Sequence, residues 1–294
     1  MTNMSDSSQG LSSNIQKDNP FTLGFVGIGP QKTASTWLHE MLMRHPSICL
    51  PVATKELQFF DRLYDKGVED YLSYFKHQKP GQICGEITPG YFDTPETPKR
   101  ISEHFPETKI IVSLRNPTKR TESLFLHHLR KGRVSPDFNE ALIQLPRIKE
   151  SGKYRKHLLN WYNFFNAEQI KIILTEDIAL NPEEVLVDLY QFLSVEHHPL
   201  PENLHQMMNK AGMPKYPWLA KYTAKAVTLL KDTGLHQVVE LGKTLGLKKI
   251  YSGSDTIPSI PYEQKKNLLS YYEEDIQFVE ELLNRKLAMW REIE

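Results

Sequence analysis

Residues 21–38 read Phe21-Thr-Leu-Gly-Phe-Val-Gly-Ile-Gly-Pro-Gln-Lys-Thr-Ala-Ser-Thr-Trp-Leu38. A short apolar run ends at Ile28, and an amphipathic stretch then continues to His45-Pro46. That order predicts a strand, a tight turn and a helix. The turn carries Lys32 and the hydroxyls of Thr33, Ser35 and Thr36. Backbone N–H groups at a helix start have no intrahelical partner, and the helix dipole adds positive potential, so such a turn attracts an anion. An ordinary strand-to-helix turn with a surface lysine is the competing reading. A Walker loop does not fit, because counting its spacing from Gly24 puts Pro30 where the lysine should stand.

Composition bounds what surrounds this turn. The 294 residues suffice for one large α/β domain or two small ones. Lys+Arg and Asp+Glu are both 36, so no global field draws the chain to nucleic acid or an anionic membrane. An anion site must therefore be built locally. Cys49 and Cys84 show neither a disulfide framework nor a zinc spacing, which points to a reducing compartment, and no metal site is expected. Residues 1–20 are rich in Ser, Asn, Asp and Gln and lack the features of a signal peptide; a disordered tail is expected there. With no run long enough to span a bilayer, a soluble protein is expected.

Three β-rich runs, 22–28, 109–114 and 169–174, are near-continuously apolar, as strands buried on both faces would be. Helical patterns lie between them. One presents Trp37, Leu38, Met41 and Leu42, another Leu158, Leu159, Trp161, Tyr162 and Phe165. Asn181-Pro182 caps a third that runs to Leu193. Alternating strands and helices argue a parallel sheet with helices on both faces. Beyond 217 the chain reads as helical: 218–247, then 262–294 with an apolar stripe through Leu268, Tyr272, Ile276 and Val279.

A second informative stretch is Ile110-Ile-Val-Ser-Leu-Arg-Asn-Pro-Thr-Lys-Arg-Thr-Glu-Ser-Leu-Phe125. Arg115 stands at the carboxyl end of a buried strand, Pro117 stops that strand, and Ser123 sits on the following helix. Ligands of open α/β sheets bind beyond the carboxyl ends of the strands, so Arg115 is expected across the crevice from Lys32. Its guanidinium suits a phosphate monoester, with Ser123 as a further donor. Pairing of Arg115 with Glu86 or Glu122 is the alternative.

Together these two segments resemble the signatures of sulfotransferases that use 3′-phosphoadenosine 5′-phosphosulfate (PAPS). Lys55–Asp61, KELQFFD, is similar to the Lys-Glu-x-x-Phe-Phe segment of the heparan-sulfate-type enzymes, and 85–92, GEITPGYF, to their Glu-Lys-Thr-Pro-x-Tyr segment. Residues 154–165, 174–193 and 268–290 also fit, so the resemblance covers nearly the whole chain after residue 21. It implies an α/β fold: P-loop-like, three-layered, a central parallel sheet flanked by helices, with a helical C-terminal third in a single domain over 21–294.

The resemblance also implies roles. Gln31, Lys32, Thr33, Ala34, Ser35, Thr36 and Trp37 would hold the 5′-phosphosulfate, and Arg115 and Ser123 the 3′-phosphate. A late basic loop would add Lys210 or Lys215. Lys32 would stabilise the leaving phosphate, and Glu56 would be the general base. Lys55, Gln58, Phe59, Tyr91 and Phe92 are candidates for the acceptor pocket. His127 and His128 are rival bases. Two positions depart from the pattern: Ile87 replaces the lysine of Glu-Lys-Thr-Pro, removing a positive charge that a polysaccharide acceptor would use, and Ala34 replaces a loop glycine. The expected acceptor is a small molecule or modest glycan carrying a hydroxyl or amine. The expected setting is cytoplasmic, as a tailoring enzyme rather than a Golgi enzyme. A P-loop-type small-molecule kinase and a nucleotide-binding protein without turnover are the alternatives.

Overall fold

The computed structural model describes residues 21–199 and 259–293, together with the backbone of Met213–Pro214 and Ser252–Ser254. The tail 1–20, the helix expected over 218–247, and Lys210 and Lys215 lie outside the described residues.

The chain starts with β1 (Leu23–Ile28), α1 (Ser35–Arg44) and β2 (Ile48–Cys49), then α2 (Val68–Ser73), β3 (Ile83–Ile87) and α3 (Thr97–His104). It continues through β4 (Lys109–Leu114), α4 (Pro117–Arg130), α5 (Phe138–Gln144), α6 (Arg147–Glu150) and α7 (Tyr154–Tyr162). Then come β5 (Ile170–Leu174), α8 (Thr175–Leu180), α9 (Pro182–Leu193) and, last, α10 (Tyr262–Leu283). The sheet order is β2-β3-β1-β4-β5, and every pairing in it is parallel. Central β1 is flanked by β3 and β4, with Val26 opposite both Glu86 and Ile110.

Strands β1, β4 and β5 lie where the apolar runs predict them. Strands β2 and β3 are not legible as such. The first has only two residues, and in β3 a glycine and a glutamate, Gly85 and Glu86, interrupt the apolar pattern.

Side chains alternate along each strand, so the two sheet faces carry separate cores. On one face Leu23, Val26, Ile110 and Val112 pack with Phe59, Phe60, Tyr71, Trp161 and the α10 residues Leu268, Tyr272 and Ile276. On the other, Phe25, Ile87, Ile111 and Ile173 pack with Trp37, Leu38 and Leu42 of α1 and Leu186 and Leu189 of α9. Each fully buried aliphatic or aromatic side chain contributes about 1.5–3 kcal/mol, which is why helices cover both faces and the fold has three layers. The stripe expected on α7 is buried at Leu158, Trp161 and Phe165, while Leu159 is 45% exposed. Near the end of the described chain, Asn116 Nδ2 donates to the Trp290 carbonyl at 2.9 Å. Arg291 bridges Glu273 and Glu280 of α10. These contacts bring the segment after α10 to the carboxyl end of β4.

Candidate functional site

The turn after β1 is shaped by close backbone approach. Gly29 has φ 139°, and a Cβ there would collide with the Ser113 carbonyl oxygen of β4. Lys32 at φ 80° and Ala34 at φ 64° are both left-handed, a conformation costing an L-residue about 1–2 kcal/mol. The loop thus forms with alanine at the position a glycine would fill. Buried Thr33 donates its hydroxyl to the Pro30 carbonyl at 2.7 Å and pairs with Ser113 Oγ at 2.8 Å. Its hydroxyl therefore ties the loop to β4 instead of facing outward.

Helix α1 starts at Ser35 without a side-chain cap, so its first amides, including those of Ser35, Thr36 and Trp37, lack intrahelical partners. Trp37 is buried and can reach an anion only through its backbone. Gln31 and Ser35 are half-buried and Thr36 is exposed. Thr36 Oγ1 accepts from Lys55 Nζ at 3.0 Å.

Charge converges on this turn. Burial lowers the Lys32 pKa, and the charges of Arg130, Arg115, Lys131 and Lys55 lower it further. Among the described residues, none of Lys32, Arg115, Arg130 and Lys131 forms an ion pair with a carboxylate. Arg130 Nε is buried without a hydrogen-bond partner among the described residues. A cluster of cations held together without a matching carboxylate is costly unless an anion completes it. The residues present therefore fit a phosphate-bearing ligand.

The β4–α4 junction supplies the second half. Asn116 caps α4, accepting from the amides of Thr118 at 2.9 Å and Lys119 at 3.1 Å. Arg115 and Ser123 line one cleft of about 300 Å³, together with Thr118, Lys119, Glu122 and Lys265. Glu122 pairs with Lys265 at 3.5 Å, and Glu86 bonds to Tyr71, Thr88 and Tyr91. Neither carboxylate is the partner of Arg115.

Burial lowers the pKa of Lys55 and Lys131, and half-buried Glu56 lies close enough to both for its charge to offset part of that lowering. Glu56 thus belongs to the rim of the same cationic site. Lys55 and Gln58 are also half-buried, and Gln58 is left-handed at φ 52°, leading into a π-helical turn, Phe59–Leu63. Three acceptor-pocket candidates are corrected by burial. Phe59 and Phe60 pack on Tyr71 at centroid distances of 5.0 and 4.8 Å. Phe59 and Tyr91 are 0% exposed and Phe92 is 1%, so Phe59, Tyr91 and Phe92 are core residues that an acceptor does not reach. His127 and His128 are half-buried near the same cations. Burial, then Lys131, pushes His127 down to about 3; burial, then Arg133, pushes His128 down to about 4.

Over residues 25–228 the sequence matches a family model described as a sulfotransferase domain. The chain belongs to the sulfotransferase family. It is similar to the mouse bifunctional heparan sulfate N-deacetylase/N-sulfotransferase 4, with 29% identity over 285 residues, covering 89% of the chain and 30% of the relative. Human heparan sulfate glucosamine 3-O-sulfotransferase 3B1 is 31% identical over 256 residues, covering 83% of the chain and 59% of the relative. A solved sulfotransferase from Alicyclobacillus acidocaldarius shares the fold, with a TM-score of 0.65 at 22% identity, covering 92% of this chain and 98% of that one.

Against the fly N-deacetylase/N-sulfotransferase the sulfotransferase spans only 20% of the relative's length. The expectation of a cytoplasmic tailoring enzyme rather than a Golgi enzyme is corrected by these relatives, which are heparan sulfate sulfotransferases. Among the described residues no helix is long and apolar enough to cross a membrane, and none of their His, Cys, Asp and Glu side chains group to hold a metal.

Two sets of site residues escaped the sequence reading of this sulfotransferase. Arg130 and Lys131 sit in the basic run His127-His-Leu-Arg-Lys-Gly-Arg133, a signal that was available. Thr88 and Glu86 stand on β3 and just beyond it, and no sequence pattern marks them as neighbours of the Glu56 segment.

Proposed function

We propose that this sulfotransferase moves the sulfuryl group of PAPS to a hydroxyl or amine of an acceptor that itself carries negative charge, a glycan or a small molecule. The observation behind this reading is the cluster of Lys32, Arg115, Arg130, Lys131 and Lys55, in which, among the described residues, Lys32, Arg115 and Arg130 form no ion pair with a carboxylate, with Glu56 at its rim. The absence of a lysine at Ile87 is offset by Arg130 and Lys131, and the heparan sulfate names of the relatives favour a glycan.

When bound, PAPS supplies a sulfuryl group carried on a phosphate leaving group. Lys32 and the first amides of α1 offset the charge that builds on that phosphate, as preorganised donors do. Arg115 and Ser123 hold the second phosphate, with Gln31, Ser35, Thr36 and the backbone of Thr33, Ala34 and Trp37 completing the cradle. Arg130 and Lys131 hold the acceptor's anionic groups, and Lys55 and Gln58 border it. Glu56 takes the proton that the attacking hydroxyl or amine loses. Proximity does much of the work, since both substrates are held between the two neighbouring strand–turn–helix units β1–α1 and β4–α4.

The test is mass spectrometry of sulfated products after incubation with PAPS and a panel of acceptors of graded charge. Glu56→Gln is expected to lower kcat by about 10²–10⁴-fold while leaving the affinity for adenosine 3′,5′-bisphosphate unchanged. Full turnover by Glu56→Gln would reassign the base.

A further inference from the structure

Glu86 is 0% exposed, and it is the one carboxylate of β3. Three hydroxyls donate to it: Tyr71 to Oε1 at 2.9 Å, Thr88 to Oε2 at 2.7 Å and Tyr91 to Oε1 at 3.4 Å. Two of these hydroxyls also accept from the backbone that follows Glu56. The Leu57 amide donates to Thr88 Oγ1 at 3.2 Å, and the Phe60 amide donates to the Tyr91 hydroxyl at 3.1 Å. Two relays result, each running from a backbone N–H through a hydroxyl to one oxygen of the same carboxylate. They bracket the left-handed Gln58 and grip the chain immediately after Glu56.

The geometry points to Glu86 as a positioning residue for Glu56, holding the Lys55–Asp61 segment through Thr88 and Tyr91. A carboxylate only accepts hydrogen bonds. It therefore turns all three hydroxyls toward itself and leaves the lone pairs of Thr88 and Tyr91 for the two amides. A neutral amide or acid at position 86 puts a donor on one oxygen and reverses one relay. Burial also pushes the Glu86 carboxyl up to about 7, so both relays run in this direction above that pH, where the group is charged. A buried carboxyl displaced in this way is characteristic of sites serving chemistry over stability. The inference rests on the reading of Glu56 as the base.

The experiment compares Thr88→Val, Thr88→Ser, Tyr91→Phe and Glu86→Gln with the unmodified protein. We expect Thr88→Val and Tyr91→Phe to lower kcat by about 10–100-fold, the range that small misplacements cost. The Kd for adenosine 3′,5′-bisphosphate should stay within about twofold, because β1 and β4 carry that cradle. Thr88→Ser, which keeps the hydroxyl, should restore most of kcat. In a Glu56→Gln background Thr88→Val should cost nothing further. Unchanged kcat in folded Thr88→Val and Tyr91→Phe, equal losses in both backgrounds, or a parallel loss of nucleotide affinity would each overturn the proposal.

Absence of sulfation by the unmodified protein on every acceptor would instead strike the proposed reaction. The relays are then judged by amide hydrogen exchange at Leu57 and Phe60. Exchange about tenfold faster in Glu86→Gln supports them, and unchanged exchange removes them.

Discussion

Lys32 and Arg115 take their meaning from what surrounds them. On the proposed reading, removing either deletes charge-assisted hydrogen bonds to a phosphate, each worth about 1.5–3 kcal/mol, so Lys32→Ala and Arg115→Ala should each weaken adenosine 3′,5′-bisphosphate binding by about 10–100-fold in calorimetry. His127 and His128, held down to about 3 and about 4, are neutral throughout the physiological range. The acid limb of a pH–rate profile should therefore not move in His127→Asn or His128→Asn, and a shifted limb would bring them back as bases. The positions of Lys32 after β1, and of Arg115 and Ser123 after β4, were legible because they depend on strand–turn–helix patterns a few residues long. Phe59, Tyr91 and Phe92 were misread because the burial of an aromatic ring depends on partners far away in sequence, here Tyr71 and Tyr154.

Among the elements, α1 matters most, since its uncapped start faces the cationic site. Ala34 holds a left-handed conformation that glycine adopts freely. Ala34→Gly should raise stability by about 0.5–1 kcal/mol, read as a higher Tm, without weakening nucleotide binding. A lower Tm would mean that the methyl group packs in a way the loop needs. The two missed strands teach a related lesson. Strand β3 reads Ile-Cys-Gly-Glu-Ile, and a charged residue inside it contradicts the pattern of a buried strand. The contradiction marks the place where Glu86 is used, as local rules fail most often at functional positions.

For the molecule as a whole, Glu86 sets a pH dependence of stability. Its carboxyl titrates at 4.5 when exposed and at about 7 in the fold, where Tyr71, Tyr91 and Asp61 are the titratable groups that face it. Between those values the folded protein holds a proton that the unfolded chain has released, so this group's contribution falls as pH rises from about 4.5 through 7. The full change is about 3 kcal/mol. Glu86→Gln should flatten the dependence of Tm on pH between about 5 and 8, and an unchanged slope would place the titration elsewhere.

Local pattern was enough to establish the buried parallel strands and the order of the two strand–turn–helix units that carry Lys32 and Arg115. Each depends on periodicity, turn chemistry and helix-end amides within one short stretch. The convergence of Arg130 and Lys131 on Lys32, the withdrawal of three aromatics into the core, and the grip of Glu86 on the chain after Glu56 emerged from packing alone. Those features join residues tens of positions apart, and a contact between distant side chains leaves no trace in the spacing of either one.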